Sequence, residues 1–93
     1  MNHVLLRSSA FVRAARKVIR RAPHLADDLA AALEQLEKDP NHPSLRTHKL
    51  KGELKGSWAC SAGYDLRIVF RFVRHDGRPA VLLETIGTHD EVY

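Results

Sequence analysis

Residues 66–73, Leu-Arg-Ile-Val-Phe-Arg-Phe-Val, decide the fold that the sequence predicts. The stretch is rich in β-branched and aromatic residues, which favour extended backbone. Because successive side chains of a strand point to opposite sides of the sheet, the stretch has two faces. One face carries Leu66, Ile68, Phe70 and Phe72, and the other carries Arg67, Val69, Arg71 and Val73. We expect the first face to pack against helices and the second to be open to solvent.

Two further strand-like segments, 57–62 and 80–86, flank this stretch. Gly63 and the turn His75-Asp76-Gly77 separate the three segments. Connections this short join antiparallel neighbours, so the segments predict a three-stranded antiparallel meander. The run at 3–7 is apolar and too short for a helix, which predicts an additional N-terminal strand.

Between the first strand and the meander, apolar residues recur with helical spacing. Ser8 or Ser9 can cap a first helix, and Pro23 ends it. A second amphipathic segment follows, and Asp39-Pro40 stops it. The predicted fold is therefore α+β, with an N-terminal strand, a two-helix hairpin and a three-stranded antiparallel meander, and with the helices packed on one sheet face.

Length and composition limit the class of protein. The 93 residues suffice for a single domain, which we assign to residues 1–93. A hydrophobic fraction of 44% and a charged fraction of 28% are typical of a globular domain. The single cysteine, Cys60, has no partner for an internal disulfide, and no paired His/Cys spacing suggests zinc. No apolar run is long enough for a signal peptide or a membrane span, so we expect a cytoplasmic protein without a membrane partner.

The net charge of +4 is unevenly distributed along the chain. Six basic residues precede the first acidic one, and a second basic stretch contains Arg46, Lys49, Lys51 and Lys55. Such asymmetry favours a polyanionic partner, because Lys and Arg contacts to phosphates supply affinity that is independent of sequence. For the first group, a solvated helix face is an equally good interpretation.

Few residues are candidates for chemistry. Arg67 on a rigid strand could present its guanidinium to a phosphate, or it could simply aid solubility. His48 precedes the meander and His89 follows it, and two histidines beside a phosphate form a minimal acid–base pair. Asp65 could assist a histidine or could be a turn residue. The chain has no Gly-rich phosphate loop and no carboxylate cluster suited to magnesium, so we expect metal-free chemistry without a cofactor.

Two blocks of sequence resemble a known family. The blocks HKLKGELKGSWACSAGYDLRIVFRFV and LLETIGTHDEVY resemble the RelE/ParE superfamily of bacterial toxin–antitoxin toxins, and in particular its YafQ-like branch of mRNA endonucleases. The resemblance extends over residues 3–93. It implies the RelE-like fold, cleavage of mRNA in the ribosomal A site without metal, and inhibition by a small cognate antitoxin. It also implies catalytic roles for His48, Asp65, Arg67, His89 and Tyr93. The basic residues that we expect to bind RNA are Arg46, Lys49, Lys51, Lys55 and Arg71.

One departure from the family pattern keeps alternatives open. The YafQ-like pattern has a further histidine in the Trp-bearing strand, where this chain has Ser61. The ParE branch shares the fold and inhibits DNA gyrase, although a pure binding protein has no need of the acid–base pair. A third alternative is a catalytically weak toxin that only binds the ribosome or the antitoxin.

Overall fold

The computed structural model describes residues 2–92, apart from the side chain of residue 53, and contains a five-stranded sheet with two long helices on one face. The elements are β1 (Val4–Arg7), α1 (Ser9–Arg21), α2 (Ala26–Lys38), β2 (His48–Lys49), β3 (Trp58–Ala62), β4 (Leu66–His75), β5 (Arg78–Thr88) and α3 (His89–Val92). Short 3-10 helices lie at Pro23–Leu25, Pro43–Leu45 and Gly52–Leu54. No helix within the described range is long and apolar enough to cross a membrane.

The sheet order is β1-β5-β4-β3-β2. β1 pairs in parallel with β5, and all other neighbours are antiparallel. The predicted α+β fold and the meander are confirmed. Two elements were missed: the two-residue edge strand β2, which is too short to show alternation, and α3, which occupies residues expected to end the last strand.

The two long helices cover the predicted face of β4 at Leu66, Ile68 and Phe70, whereas Phe72 on the same face is exposed. Ser8 caps α1, because its Oγ accepts a hydrogen bond from the Phe11 N–H at 3.0 Å. Phe11 of α1 and Leu36 of α2 are buried against Leu66, Ile68 and other residues of the sheet. Burial of these apolar side chains is the main favourable contribution to folding.

A β-bulge at Glu84 interrupts the pairing of β4 with β5. Val69 pairs with Thr85 and Phe70 with Leu83, so Glu84 is the extra residue. Its carbonyl oxygen accepts a hydrogen bond from the Ser8 hydroxyl at 3.1 Å. Its carboxylate accepts one bond from the Ser57 hydroxyl at 2.6 Å and one from Arg71 Nε at 3.1 Å. The bulge is therefore connected to the start of α1, the start of β3 and the middle of β4.

The second face of the sheet is less open than the alternation predicts. Val69 is only 2% exposed and packs with Leu50, Ala59 and Val92. The expectation of a fully solvated face was therefore wrong, because the segment after β2 and the helix α3 both fold over its centre. Away from this centre the face is more accessible: Arg67 on one side is half-buried, and Arg71 on the other is exposed.

Replacing Ser57 with Ala should destabilise the protein by about 1–2 kcal/mol, because the Glu84 carboxylate loses a buried hydrogen-bond donor. Urea unfolding measures the change. The matched control is Ser44→Ala, whose hydroxyl contacts the exposed His42 and whose loss should cost less than about 0.5 kcal/mol. Equal stability of the two variants would contradict the structural role of the Ser57–Glu84 bond.

Candidate functional site

Three of the predicted catalytic residues meet in one depression of about 420 Å³. The residues lining it are Arg46, His48, Ser61, Arg67 and His89. A larger depression of about 610 Å³ shares four of these residues and extends to Ser44, Gly63, Tyr64 and Asp65. Tyr93, which the family resemblance also implicated, lies outside the described residues. The structure thus brings together side chains from β2, β3, β4 and α3 that are far apart in the chain.

Arg67 lies in the centre of this group. Ser61 on β3 and Gly87 on β5 are its cross-strand partners. Its Nη1 donates hydrogen bonds to the carbonyl oxygens of Tyr64 at 3.0 Å and Leu66 at 2.8 Å. These bonds use both hydrogens of Nη1 and fix the guanidinium, while the Nε and Nη2 donors form the fork that matches a phosphate.

His48 is held by the loop that precedes it. Its Nδ1 lies 2.9 Å from the carbonyl oxygen of Arg46. A carbonyl can only accept a hydrogen bond, so Nδ1 carries the proton and the lone pair of the neutral ring is on Nε2. Arg46 has a positive φ of 51°, a backbone conformation uncommon outside glycine. The loop thereby selects the tautomer in which Nε2 is the basic nitrogen.

His89 is the first residue of α3, and a capping box places it there. The Glu91 carboxylate accepts a hydrogen bond from the Thr88 N–H at 2.8 Å, and Thr88 Oγ1 faces the Glu91 N–H at 3.4 Å. The backbone N–H of His89 donates to the carbonyl oxygen of Asp65 at 3.0 Å. The bond from the Thr88 N–H is the largest of the effects that hold the pKa of the Glu91 carboxyl below its usual value of 4.5, and Arg21 and Lys17 add attraction.

Two packing contacts hold α3 against the second face of the sheet. Val92 packs against Leu50, Ala59 and Val69. At Gly87, an added Cβ would come within 3.1 Å of the Glu91 Cβ, closer than ordinary contact. The glycine of the Gly-Thr-His motif therefore allows the helix to fold back closely over the strand.

The remaining predicted residues occupy other places. Asp65 lines the larger depression, whereas His48 lines only the smaller one. Arg71 is ion-paired with Glu84. Lys49, Lys51 and Lys55 line a separate depression beside Trp58. Of the predicted RNA-binding residues, only Arg46 lines the same depression as the histidines.

Other reactive groups do not contribute to this site. Cys60 is fully buried, and burial raises the pKa of its thiol to about 12, so it is not a nucleophile at neutral pH. Among residues 2–92 no group of three or more His, Cys, Asp or Glu is arranged to hold a metal ion. The sequence reasoning missed Tyr64, whose side chain lies at the rim of the larger depression and is 96% exposed. An aromatic residue in a turn next to a candidate arginine was the available signal.

Comparison with known proteins identifies the fold. No family model and no curated protein matches the sequence. Among solved structures, YafQ from E. coli strain BL21(DE3) aligns over 98% of this chain and 98% of its own, with 15% identity and a TM-score of 0.77. A YoeB/ParE toxin from Agrobacterium tumefaciens aligns over 92% of this chain and 98% of its own, with 14% identity and a TM-score of 0.73. A chain of the E. coli DinJ–YafQ toxin–antitoxin complex aligns over 100% of this chain and 99% of its own, with 15% identity and a TM-score of 0.75. The chain has the RelE/ParE toxin fold, and the predicted resemblance is confirmed at this level.

Replacing Glu91 with Ala should loosen α3, because the Thr88 N–H loses its acceptor. We expect faster amide hydrogen exchange at residues 89–92 and unchanged exchange in β4, measured by NMR. Acid should also lower the protection of these amides in the wild type, after correction for the intrinsic slowing of amide exchange at lower pH. Because the folded-state pKa of Glu91 is lowered, its stabilisation is complete above its usual value of 4.5 and is lost as the pH falls through the folded-state value.

The control for this experiment is Asp90→Asn, which removes an exposed carboxylate that lies 3.6 Å from His89 Nδ1 in the same turn and leaves the capping box intact. Suppose that Asp90→Asn and Glu91→Ala speed amide hydrogen exchange at residues 89–92 equally. That result would show that negative charge in general, and not the capping bond, stabilises α3.

Proposed function

We propose that this protein is the toxin of a bacterial toxin–antitoxin pair and that it cleaves mRNA in the ribosomal A site by metal-independent transesterification. The observation that carries the proposal is the shared depression lined by His48, Arg67 and His89. Cleavage next to a ribose 2′-hydroxyl requires a base, a cation for the phosphorane and an acid for the leaving oxygen. The three side chains supply one group for each requirement.

His48 is the proposed general base. The bond from its Nδ1 to the Arg46 carbonyl leaves Nε2 as the basic nitrogen. Nε2 takes the proton of the 2′-hydroxyl, and the 2′-oxygen then forms a bond to the adjacent phosphorus. Holding the ring in one tautomer removes an unproductive state before the substrate binds, which is a form of preorganisation.

Arg67 and His89 complete the reaction. The phosphorane that forms has extra negative charge, and the Arg67 fork stabilises it at a position fixed by the Tyr64 and Leu66 carbonyls. The protonated His89 gives its proton to the 5′-oxygen as the phosphorus–oxygen bond breaks, which yields a 2′,3′-cyclic phosphate and a free 5′-hydroxyl. Arg46 adds a second cation to the depression.

Ser61, Tyr64 and Asp65 have supporting roles in this proposal. The Ser61 hydroxyl can donate to a phosphate oxygen from the position where the family pattern has a histidine. The exposed Tyr64 ring can stack on a base beside the cleaved bond. Asp65 positions His89 through its backbone carbonyl, and its carboxylate is close enough to the larger depression to orient a polar group there.

The proposed antitoxin is an acidic protein. Five cations of α1 recur at the spacing of one helical stripe and line a shallow surface: Arg13, Arg16, Lys17, Arg20 and Arg21. Like charges at this spacing destabilise a helix, so a partner of opposite charge would relieve the repulsion. Next to the stripe, a groove of about 380 Å³ has an apolar floor that includes Val18, Leu25 and Ile86. The solved DinJ–YafQ toxin–antitoxin complex supports a protein partner for this fold.

Replacing Arg67 or His89 with Ala should reduce cleavage of ribosome-bound message by at least about a hundredfold, because each removes one charge-stabilising or proton-transfer group. Growth arrest on expression and primer extension on the message measure the effect. A chelator selective for zinc and other transition metals, added while magnesium keeps the ribosome intact, should leave the wild-type rate unchanged.

The control for these variants is His75→Ala, which removes an exposed histidine at the end of β4 that contacts Asp76 and does not line either depression. Full cleavage by both the Arg67 and His89 variants would overturn the assignment. Arrest of translation by the wild type without cut message would instead indicate a toxin that only binds, and trapped gyrase–DNA complexes would indicate the ParE activity.

Exchanging two cations of the α1 stripe, Lys17→Glu with Arg21→Glu, should weaken binding of an acidic antitoxin by about tenfold or more, because attraction becomes repulsion. Isothermal titration at two salt concentrations measures the change with the antitoxin encoded beside the gene. The control is Lys38→Glu on α2, which lies outside the stripe. Equal loss in both variants would contradict a specific role for the stripe.

A further inference from the structure

A second basic depression lies at the opposite side of β2 from the histidines. It has a volume of about 450 Å³, and its described lining includes Lys49, Lys51, Lys55 and Trp58. Among the described lining residues there is no carboxylate. Three amines around one aromatic ring form a surface that complements a ligand with both an anionic group and a flat ring.

Trp58 is held in place as a platform. The ring packs against the main core and forms a T-shaped pair with the Phe72 ring, with a centroid distance of 5.1 Å and an interplanar angle of 80°. Lys49 Nζ lies over the ring, 5.5 Å from the centroid. The ring is therefore rigid, and the flexible side chain of an exposed lysine covers its outward side.

We infer that this depression binds a nucleotide of the RNA strand, with the base stacked on Trp58 and the flanking phosphates held by the lysines. Base stacking on an aromatic residue is a stronger interaction than an exposed cation–π contact, so a base can displace the Lys49 amine from the ring. The released amine remains beside the base, where it can contact a phosphate. The site takes a base of any identity, because every base has a stacking face.

The position of the site relates it to the cleaved bond. His48 and Lys49 are adjacent residues of β2, and their side chains point to opposite sides of this edge strand. An RNA strand that passes over the edge can thus place one phosphate near His48 and a neighbouring base on Trp58. The inference rests on the proposed function for the identity of the strand, and it adds a subsite that holds the substrate without taking part in proton transfer.

Trp58 is the only tryptophan in the chain, so its fluorescence reports on this site directly. The probe is a short oligoadenylate with 2′-O-methyl groups, which stacks and carries phosphates but has no 2′-hydroxyl for cleavage. We expect the probe to quench the Trp58 fluorescence of the wild-type protein, and the quenching to saturate as the probe concentration rises. The double variant Lys51→Ala/Lys55→Ala, which alters only exposed side chains, should bind more weakly and lower the slope of log affinity against log salt by about 1.4.

Three variants test whether the depression beside Trp58 is where the oligoadenylate binds. Lys38→Ala, on α2, should leave both affinity and salt slope unchanged. Trp58→Leu should weaken binding at least about fivefold when the probe carries a fluorescent label and anisotropy is measured. His89→Ala should keep full quenching although it is expected to lose cleavage, so a failure of the catalytic proposal does not affect this readout.

Two results would overturn the inference. If the anisotropy of the labelled oligoadenylate shows saturated binding while the Trp58 fluorescence is not quenched, the RNA binds elsewhere on the protein. Equal competition by polyglutamate and by the oligoadenylate would show a surface that selects negative charge without stacking.

Discussion

The Glu84 bulge joins the parts of this fold that the sequence keeps apart. The Glu84 carbonyl oxygen accepts a hydrogen bond from the hydroxyl of Ser8, the residue that caps α1. The Glu84 carboxylate accepts hydrogen bonds from Ser57, which precedes β3, and from Arg71 of β4. The extra residue also reverses the alternation of β5. Val81 and Leu83 before the bulge and Ile86 after it can therefore all face the main core. Without the bulge, the residues after it would point to the wrong faces.

This reversal also determines the geometry of the site. Gly87 lies opposite Arg67 in the register beyond the bulge, and the chain turns into α3 directly after it. A helix of four residues has no stability in isolation. The capping box, the close approach at Gly87 and the packing of Val92 together stabilise it. The position of His89 therefore depends on contacts made by its neighbours, and the shortest of the three α-helices carries one of the two site histidines.

Much of this architecture could be predicted from sequence patterns. The alternation in 66–73 located β4 and placed Arg67 away from the helices, and the prolines and serines located both long helices. The Thr-x-x-Glu pattern that begins α3 is also present in the sequence, yet the apolar run before it favours the end of a strand. β2 and the bulge could not be predicted, since two paired residues and one extra residue leave no periodic signal. Because β2 and α3 were not predicted, the second sheet face was expected to be open.

By itself, the sequence determined both long helices, the four longer strands and the residue types available for chemistry, because apolar periodicity, capping residues and turns act over a few neighbouring positions. Only the tertiary structure decided which of these residues meet. His48 and His89 line one depression because β2 is at the sheet edge, β5 carries a bulge and α3 packs over Val69. The separation of the lysines near Trp58 from the histidines was decided in the same way. Pairing between distant strands determines these positions, and no local pattern encodes it.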